Sequence, residues 1–294
     1  MKCLVTGGAG FIGTNLIKRL SKDGHRVVSL DNYITGKKEN EIEHKEVQYF
    51  DVDLSGVKYY SSFMDKPDVI FHLAAMSRIQ PSFDNPEQTF KSNVYSTVNM
   101  MEDARRNKIP VVYAGTSSVH GDKYANPYTF TKWQGEEIVK MYSEIFDVSS
   151  CICRFYNAYG PHQATEGAYC NVLGIFERQY NEGRQLTITG DGEQKRDFVH
   201  VEDIVDGMVK CMEAMHGAVD MRYSGETFEL GNGYNYSINQ IAKSFGENYP
   251  IKHIKATPGE MRETLCTDKK AKDILSWIPK KDVIEYIKEE LVFE

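Results

Sequence analysis

The sequence predicts an α/β protein built on a doubly wound parallel sheet, and three observations carry that prediction. Strand-like and helical stretches alternate through the first half of the chain, the pattern of a sheet covered by helices on both faces. A glycine-rich turn separates the first strand from the first helix. An acidic residue closes the second strand. Strand, glycine turn, helix, strand and acid is the order that a dinucleotide-binding fold needs.

Taken in order, residues 2–6 form an apolar strand, and Gly7-Gly8-Ala9-Gly10-Phe11-Ile12-Gly13 follows at once. A helical pattern runs through Leu16, Ile17 and Leu20 and stops at Asp23-Gly24. Residues 26–31 make a second strand that ends on Asp31. Further strands are expected at 47–51, 69–73, 111–115 and 149–154, with the longest helices near 86–106 and 127–146. After Pro161 the pattern loosens to helices near 171–182, 201–215 and 237–246 and short strands near 186–189 and 227–230. The expected division is a Rossmann-like domain over residues 1–161 and a smaller α/β substrate-binding domain, mainly residues 162–294, laid over the carboxyl edge of the sheet. Elements of the second are expected to interleave with the first. The chain carries neither internal repeats nor a low-complexity tract.

The glycines have a chemical reading. They permit a tight turn and let a pyrophosphate approach a helix N-terminus, where unpaired N–H groups and the dipole favour anions. Asp31 is placed to accept hydrogen bonds from a ribose and would repel a 2′-phosphate, so NAD is favoured over NADP. Tyr128 and Lys132 stand four residues apart in Asn126-Pro127-Tyr128-Thr129-Phe130-Thr131-Lys132. Asn126 suits a helix cap and Pro127 its first turn, so phenol and ammonium share one face. A cation beside a phenol favours the phenolate, a base able to take a proton from an alcohol. Alone, the pair also fits an ordinary surface helix.

The spacing Gly7-x-x-Gly10-x-x-Gly13 together with Tyr128-x-x-x-Lys132 resembles the extended short-chain dehydrogenase/reductase family, in particular its nucleotide-sugar epimerases and dehydratases. Asp31-Asn32-Tyr33, Asp53-Leu54, His72-Leu73-Ala74-Ala75 and Asn93-Val94 are similar to its cofactor-contacting segments, so Asn32, Asp53, Leu54, Leu73, Ala74, Ala75 and Asn93 join Gly7, Gly10, Phe11, Ile12, Gly13 and Asp31 as expected NAD contacts. Thr116-Ser117-Ser118-Val119-His120-Gly121, Arg154-Phe155-Tyr156-Asn157-Ala158-Tyr159-Gly160-Pro161 and Gly190-Asp191-Gly192-Glu193-Gln194-Lys195-Arg196-Asp197-Phe198 resemble its sugar-nucleotide signatures.

The resemblance implies Tyr128 as acid/base, Lys132 at the nicotinamide ribose lowering the phenol's pKa, and Thr116 at the sugar hydroxyl. It implies Arg196 and Asn157 at the diphosphate of a nucleotide-diphosphate sugar. Arg262 or Arg78 is expected to replace the arginine that relatives carry where this chain has Thr257, just before Pro258-Gly259-Glu260. Thr264 is expected to bound the sugar pocket and, being small, to leave room for an N-acetyl group. Ser117 and Ser118 stand where dehydratases carry acids, which disfavours elimination of water and leaves a 4-epimerase ahead of a decarboxylase, dehydratase or 4-keto reductase. A non-catalytic NAD sensor or scaffold is the reading from outside enzymology. The stretch from Gly121 to Tyr128 is shorter than in relatives, and His120 replaces their usual tyrosine. In relatives, helices like those near 86–106 and 127–146 pair in a homodimer.

Composition sets bounds. A hydrophobic share of 41% and a charged share of 26% in 294 residues are ordinary for a globular protein with a sizeable core. A net charge of −7 argues against general nucleic-acid binding. The six cysteines form no C-x-x-C pair or zinc spacing, and no metal site is expected. Cys151 and Cys153, flanking Ile152, suit core thiols. With no signal peptide or membrane-spanning run in view, a reducing cytoplasm is the expected location.

Overall fold

A computed structural model describes residues 1–216, 224–256 and 261–292. The first half follows β1 (Lys2–Thr6), α1 (Phe11–Lys22), β2 (Arg26–Asp31), β3 (Val47–Asp51), β4 (Val69–His72), α2 (Ile79–Asp84), α3 (Pro86–Phe90), α4 (Ser96–Asn107), β5 (Val111–Thr116), α5 (Pro127–Phe146) and β6 (Ser150–Phe155). Then come β7 (Asn157–Tyr159), α6 (Val172–Asn181), β8 (Leu186–Thr189), β9 (Lys195–Arg196), β10 (Phe198–His200), α7 (Val201–His216), β11 (Glu226–Leu230), β12 (Tyr236–Ser237), α8 (Ile238–Lys243), β13 (Ile251–Ile254), α9 (Lys270–Leu275) and α10 (Val283–Tyr286).

Seven strands form one sheet in the order β11-β6-β5-β4-β1-β2-β3, and every pairing in it is parallel. Its central strands are buried along their length, so they read as continuous apolar runs rather than alternating ones. The order in which strands are added switches from one side of β1 to the other between β3 and β4, which opens beside β1 and β4 the crevice where ligands of open α/β sheets bind. Two apolar cores cover the sheet faces, one with α1 and α7 and one with α4 and α5. A third core, around Tyr159, Phe176, Leu186, Phe198 and Ile241, holds the smaller layer together.

The strand expected near 227–230 is therefore an edge of the main sheet, its Phe228 and Leu230 fully buried beside β6. The helix expected near 86–106 is interrupted. One π-type turn at Lys91–Tyr95 joins α3 to α4 and carries Asn93 inward, a distortion often found at functional sites. α5 begins where the sequence places it, with Asn126 Oδ1 accepting the Thr129 N–H at 2.8 Å and Pro127 in the first turn. Among the described residues, no helix is long and apolar enough to cross a membrane.

Candidate active site

A cavity of about 930 Å³ lies over the carboxyl ends of β1, β4 and β5 and reaches to β9 and Thr264, a size suited to a cofactor with its substrate. At one end α1 starts on Gly10 with no side-chain cap, so the first-turn N–H groups of Phe11, Ile12 and Gly13 are open to an anion. The turn before it is tight. Gly7 is left-handed at φ 72°, and a Cβ there would stand 2.8 Å from the Ala74 nitrogen. Thr6 Oγ1 fixes the opposite lip by accepting the Leu73 and Ala74 N–H groups at 3.1 and 3.2 Å.

Asp31 lies beside this turn and accepts N–H donors from Ala9 and Tyr33, each at 2.9 Å. Burial raises its pKa while those donors hold it down. Asn32 accepts the Ile34 N–H at 3.2 Å, and Asp53 caps a short turn through the Ser55 N–H at 3.0 Å. Asn32, Asp53, Leu54, Leu73, Ala74 and Ala75 all line the same wall. An uncapped helix start facing a buried carboxylate fits a pyrophosphate and a ribose, the parts of a dinucleotide that need those partners.

Thr116, Tyr128 and Lys132 all line the cavity. Burial raises the Tyr128 phenol's pKa, and the Thr116 hydroxyl and the Arg78 cation oppose that rise. Lys132 is 5% exposed, and burial pulls its ammonium down to about 8. It donates to the Tyr113 hydroxyl at 3.1 Å and the Ala114 carbonyl at 2.5 Å, and lies over the Tyr113 ring. Lys132 thus points to β5, and the Arg78 cation favours the phenolate of Tyr128 against its burial.

At the far end, Arg196 and Thr264 line the cavity. Asn157 donates its amide to the Asp197 carbonyl and to Thr264 Oγ1, both at 2.9 Å. Its free group is therefore the amide oxygen, an acceptor where a phosphate donor was expected. Arg262 is not in the cavity wall. Its guanidinium makes a bidentate pair with Asp191 at 2.8 and 3.0 Å, with 65% of the side chain exposed, because the nearest carboxylate stands on the outer turn. Asn93 is also outside the wall. It is 1% exposed and clamps Met76 from behind, accepting its N–H at 2.8 Å and donating to its carbonyl at 3.2 Å, while a further bond ties it to Thr131 at 3.0 Å. Residues 257–260, which include Thr257 and the Pro258-Gly259-Glu260 step, lie outside the described residues.

The short segment between Gly121 and Tyr128 folds back on α5. Tyr124 packs on Phe130 at 5.6 Å, and Lys123 lies over Trp133, while Met261 faces Gly121 from across the mouth.

A family model described as the NAD dependent epimerase/dehydratase family matches residues 3–231. The chain belongs to that family. A UDP-glucose 4-epimerase of Mycolicibacterium smegmatis is 32% identical over all of this chain and 98% of its own. UDP-glucuronic acid decarboxylase 4 of Arabidopsis thaliana is 31% identical over 95% of this chain and 65% of its own. The crystal structure of a UDP-glucuronic acid 4-epimerase from Bacillus cereus, in complex with UDP-glucuronic acid and NAD, superposes with a TM-score of 0.87 at 28% identity, covering 99% of this chain and 98% of that one.

Behind the site of this epimerase/dehydratase-family chain runs a charged network that sequence reasoning missed. Glu136 is fully buried. It accepts from Arg154 at 2.7 and 2.9 Å and from the Thr116 N–H at 3.3 Å. Arg154 also donates to Glu229 at 2.9 Å, and Glu229 meets His120 Nε2 at 2.9 Å. Carboxylates hold the Arg154 pKa up against burial, and His120 is raised by Glu229. The signal was in the sequence: Arg154 and Glu229 each interrupt an apolar strand, and Glu136 follows Lys132 by four on its helix. A charge inside a buried element needs a partner.

Proposed function

We propose that the chain is an NAD-dependent epimerase of a nucleotide-diphosphate sugar, inverting C4 through a transient 4-keto sugar. The carrying observation is that Thr116, Tyr128 and Lys132 share one cavity with an uncapped helix start and Asp31. Gly7, Gly10, Phe11, Ile12, Gly13, Asp31, Asn32, Asp53, Leu54 and Leu73 to Ala75 would hold NAD, with Lys132 on the nicotinamide ribose. When bound, NAD supplies a reversible hydride acceptor, so the cycle has no net oxidation. Tyr128 takes the proton of the sugar 4-OH, helped by the Thr116 hydroxyl, which orients the same oxygen. Arg196 holds the diphosphate, and a guanidinium fork suits phosphate oxygens. With the O–H proton on Tyr128 and the C4 hydrogen removed as hydride, C4 would become a planar ketone, which the cavity has room to let turn about its diphosphate link. Tyr128 would return its proton to the C4 oxygen when the same hydride is given back to the opposite face of the ketone.

A decarboxylase is the second reading, supported by the Arabidopsis relative. Incubation of the purified protein with UDP-sugars, followed by NMR of the anomeric protons, separates the two. Interconversion of C4 epimers supports the proposal, and a pentose product with carbon dioxide refutes it. A nucleotide-binding sensor without turnover is addressed by Tyr128→Phe, which would leave a sensor working.

Thr264 leaves space for an N-acetyl group in this reading. Thr264→Tyr should depress turnover of UDP-N-acetylglucosamine more than UDP-glucose, with Thr264→Val as control for the lost Asn157 bond; equal effects on both substrates refute it. A homodimer belongs to the same proposal, resting on exposed Val98, Met141 and Ile145 of α4 and α5. So does a cytoplasmic site of action, supported by six free thiols. Sedimentation and cell fractionation test these two.

A further inference from the structure

Arg78 stands out among the cavity's cations. It precedes α2, whose Ser82 Oγ accepts the Tyr128 N–H at 3.1 Å, so Arg78 and the reacting phenol are held by the same short element. Its Nε donates to the Tyr169 carbonyl at 2.9 Å. That bond fixes the plane of the guanidinium, and among the described residues no other hydrogen bond engages its two terminal nitrogens, which belong to a residue of the cavity wall.

Among the described residues no carboxylate pairs with Arg78; the titratable groups that influence it are Tyr128 and Cys170, and burial holds both in their neutral forms. Arg154 shows how this fold treats a buried guanidinium that serves only to hold elements together, placing it between two carboxylates. A loop clamp alone needs one donor to Tyr169 and no charge. Arg78 is half-buried in the cavity wall, and a partly desolvated guanidinium with no counter-charge gains most from an anion that enters the cavity. The substrate diphosphate has Arg196, which lines the same cavity. What remains at the sugar end, next to Tyr128, is an anionic group on the sugar itself.

Resting on the nucleotide-sugar reading, we infer that Arg78 is a specificity residue for a sugar carboxylate, so that the preferred substrate class is a nucleotide-diphosphate uronic acid. The two terminal N–H groups match the two carboxylate oxygens in a bidentate pair. A hexose with a neutral C6 hydroxyl leaves the charge uncompensated. Epimerisation at C4 leaves the carboxylate intact, and its firm anchorage beside Tyr128 disfavours the carbon–carbon cleavage of the second reading.

The test is calorimetric binding of UDP, UDP-glucose and UDP-glucuronate to NAD-loaded wild type, Arg78→Ala and Arg78→Lys, with NAD affinity measured alongside. Wild type should bind UDP-glucuronate at least about 10-fold more tightly than UDP-glucose. Arg78→Ala should lose affinity for the uronate on the order of 30-fold relative to the hexose, and Arg78→Lys should recover part of it. Equal affinity of wild type for the two sugars overturns the inference. So does a loss shared equally by UDP and both sugars, which would place Arg78 on the diphosphate, or a loss confined to NAD. If UDP itself does not bind wild type, the nucleotide-sugar reading fails first.

Discussion

Gly13 and Gly10 differ in what surrounds them, and the difference predicts two distinct phenotypes. A Cβ on Gly13 would stand 2.1 Å from the Gly7 carbonyl oxygen and 2.7 Å from Gly8 Cα, both backbone atoms. Carbon and carbonyl oxygen settle near roughly 3.3 Å, so Gly13→Ala forces α1 about 1 Å away from the turn. The turn has little freedom to follow, because Gly7 is itself close against Ala74. Overpacking of this kind costs about 2–3 kcal/mol, which lowers Tm by roughly 3–5 °C in a chain of this size. A Cβ on Gly10 meets only the Gly7 carbonyl oxygen at 3.3 Å, and φ there is an ordinary −83°. Gly10→Ala should therefore keep its Tm within about 2 °C yet bind NAD weakly, because the methyl group projects where the pyrophosphate must approach the first-turn N–H groups. Thermal unfolding without ligand, paired with NAD titration by calorimetry, reads both quantities. If Gly13→Ala is as stable as wild type, or if Gly10→Ala binds NAD normally, the account of the turn as a phosphate cradle is wrong.

Tyr128→Phe should bind NAD normally and lose about 10³-fold in turnover, measured by NMR of the product sugar; retention of more than a tenth of the rate would remove Tyr128 from the acid/base role. Glu136→Gln should destabilise the protein by about 3 kcal/mol in urea unfolding, because Arg154 keeps only Glu229 as a buried counter-charge. It should also lower kcat, since the Thr116 N–H loses a charged acceptor; an unchanged urea midpoint contradicts the network. His120 is raised by Glu229, so its contribution to stability is fully present below about pH 6.5 and fades as pH rises through the folded value. The stability gap between wild type and His120→Ala should accordingly shrink from pH 6 to pH 8, and a gap that widens over that range reverses the assignment.

Local chemistry made much of the fold readable. The six parallel strands of the first half are short apolar runs bounded by glycine, proline and polar residues, and α5 announces its start through Asn126 and Pro127. The tight turn before α1 and the place of Asp31 beside it were equally legible, because glycine spacing and one acid constrain backbone shape directly. Features set by distant partners were not. The π-type turn that carries Asn93 inward has no periodic signature, and it turns an expected cofactor contact into a clamp on Met76. Arg262 resembled a phosphate ligand in sequence, but Asp191, far away in the chain, captures it. Lys132 shared a face with Tyr128 as expected, yet Tyr113 and Ala114 of the neighbouring strand decide where its ammonium points. The buried network of Glu136, Arg154 and Glu229 joins three elements and needed the sheet order before its members could be paired.

The most direct measurement of the central claim follows the hydrogen on C4. UDP-glucuronate and UDP-glucose deuterated at C4 are each incubated with the NAD-loaded protein in ordinary water, and the products are read by NMR and mass spectrometry. C4 epimers that keep the deuterium are expected, with no net NADH and no carbon dioxide. Deuterium lost to solvent, a decarboxylated sugar or stoichiometric NADH would contradict the claim.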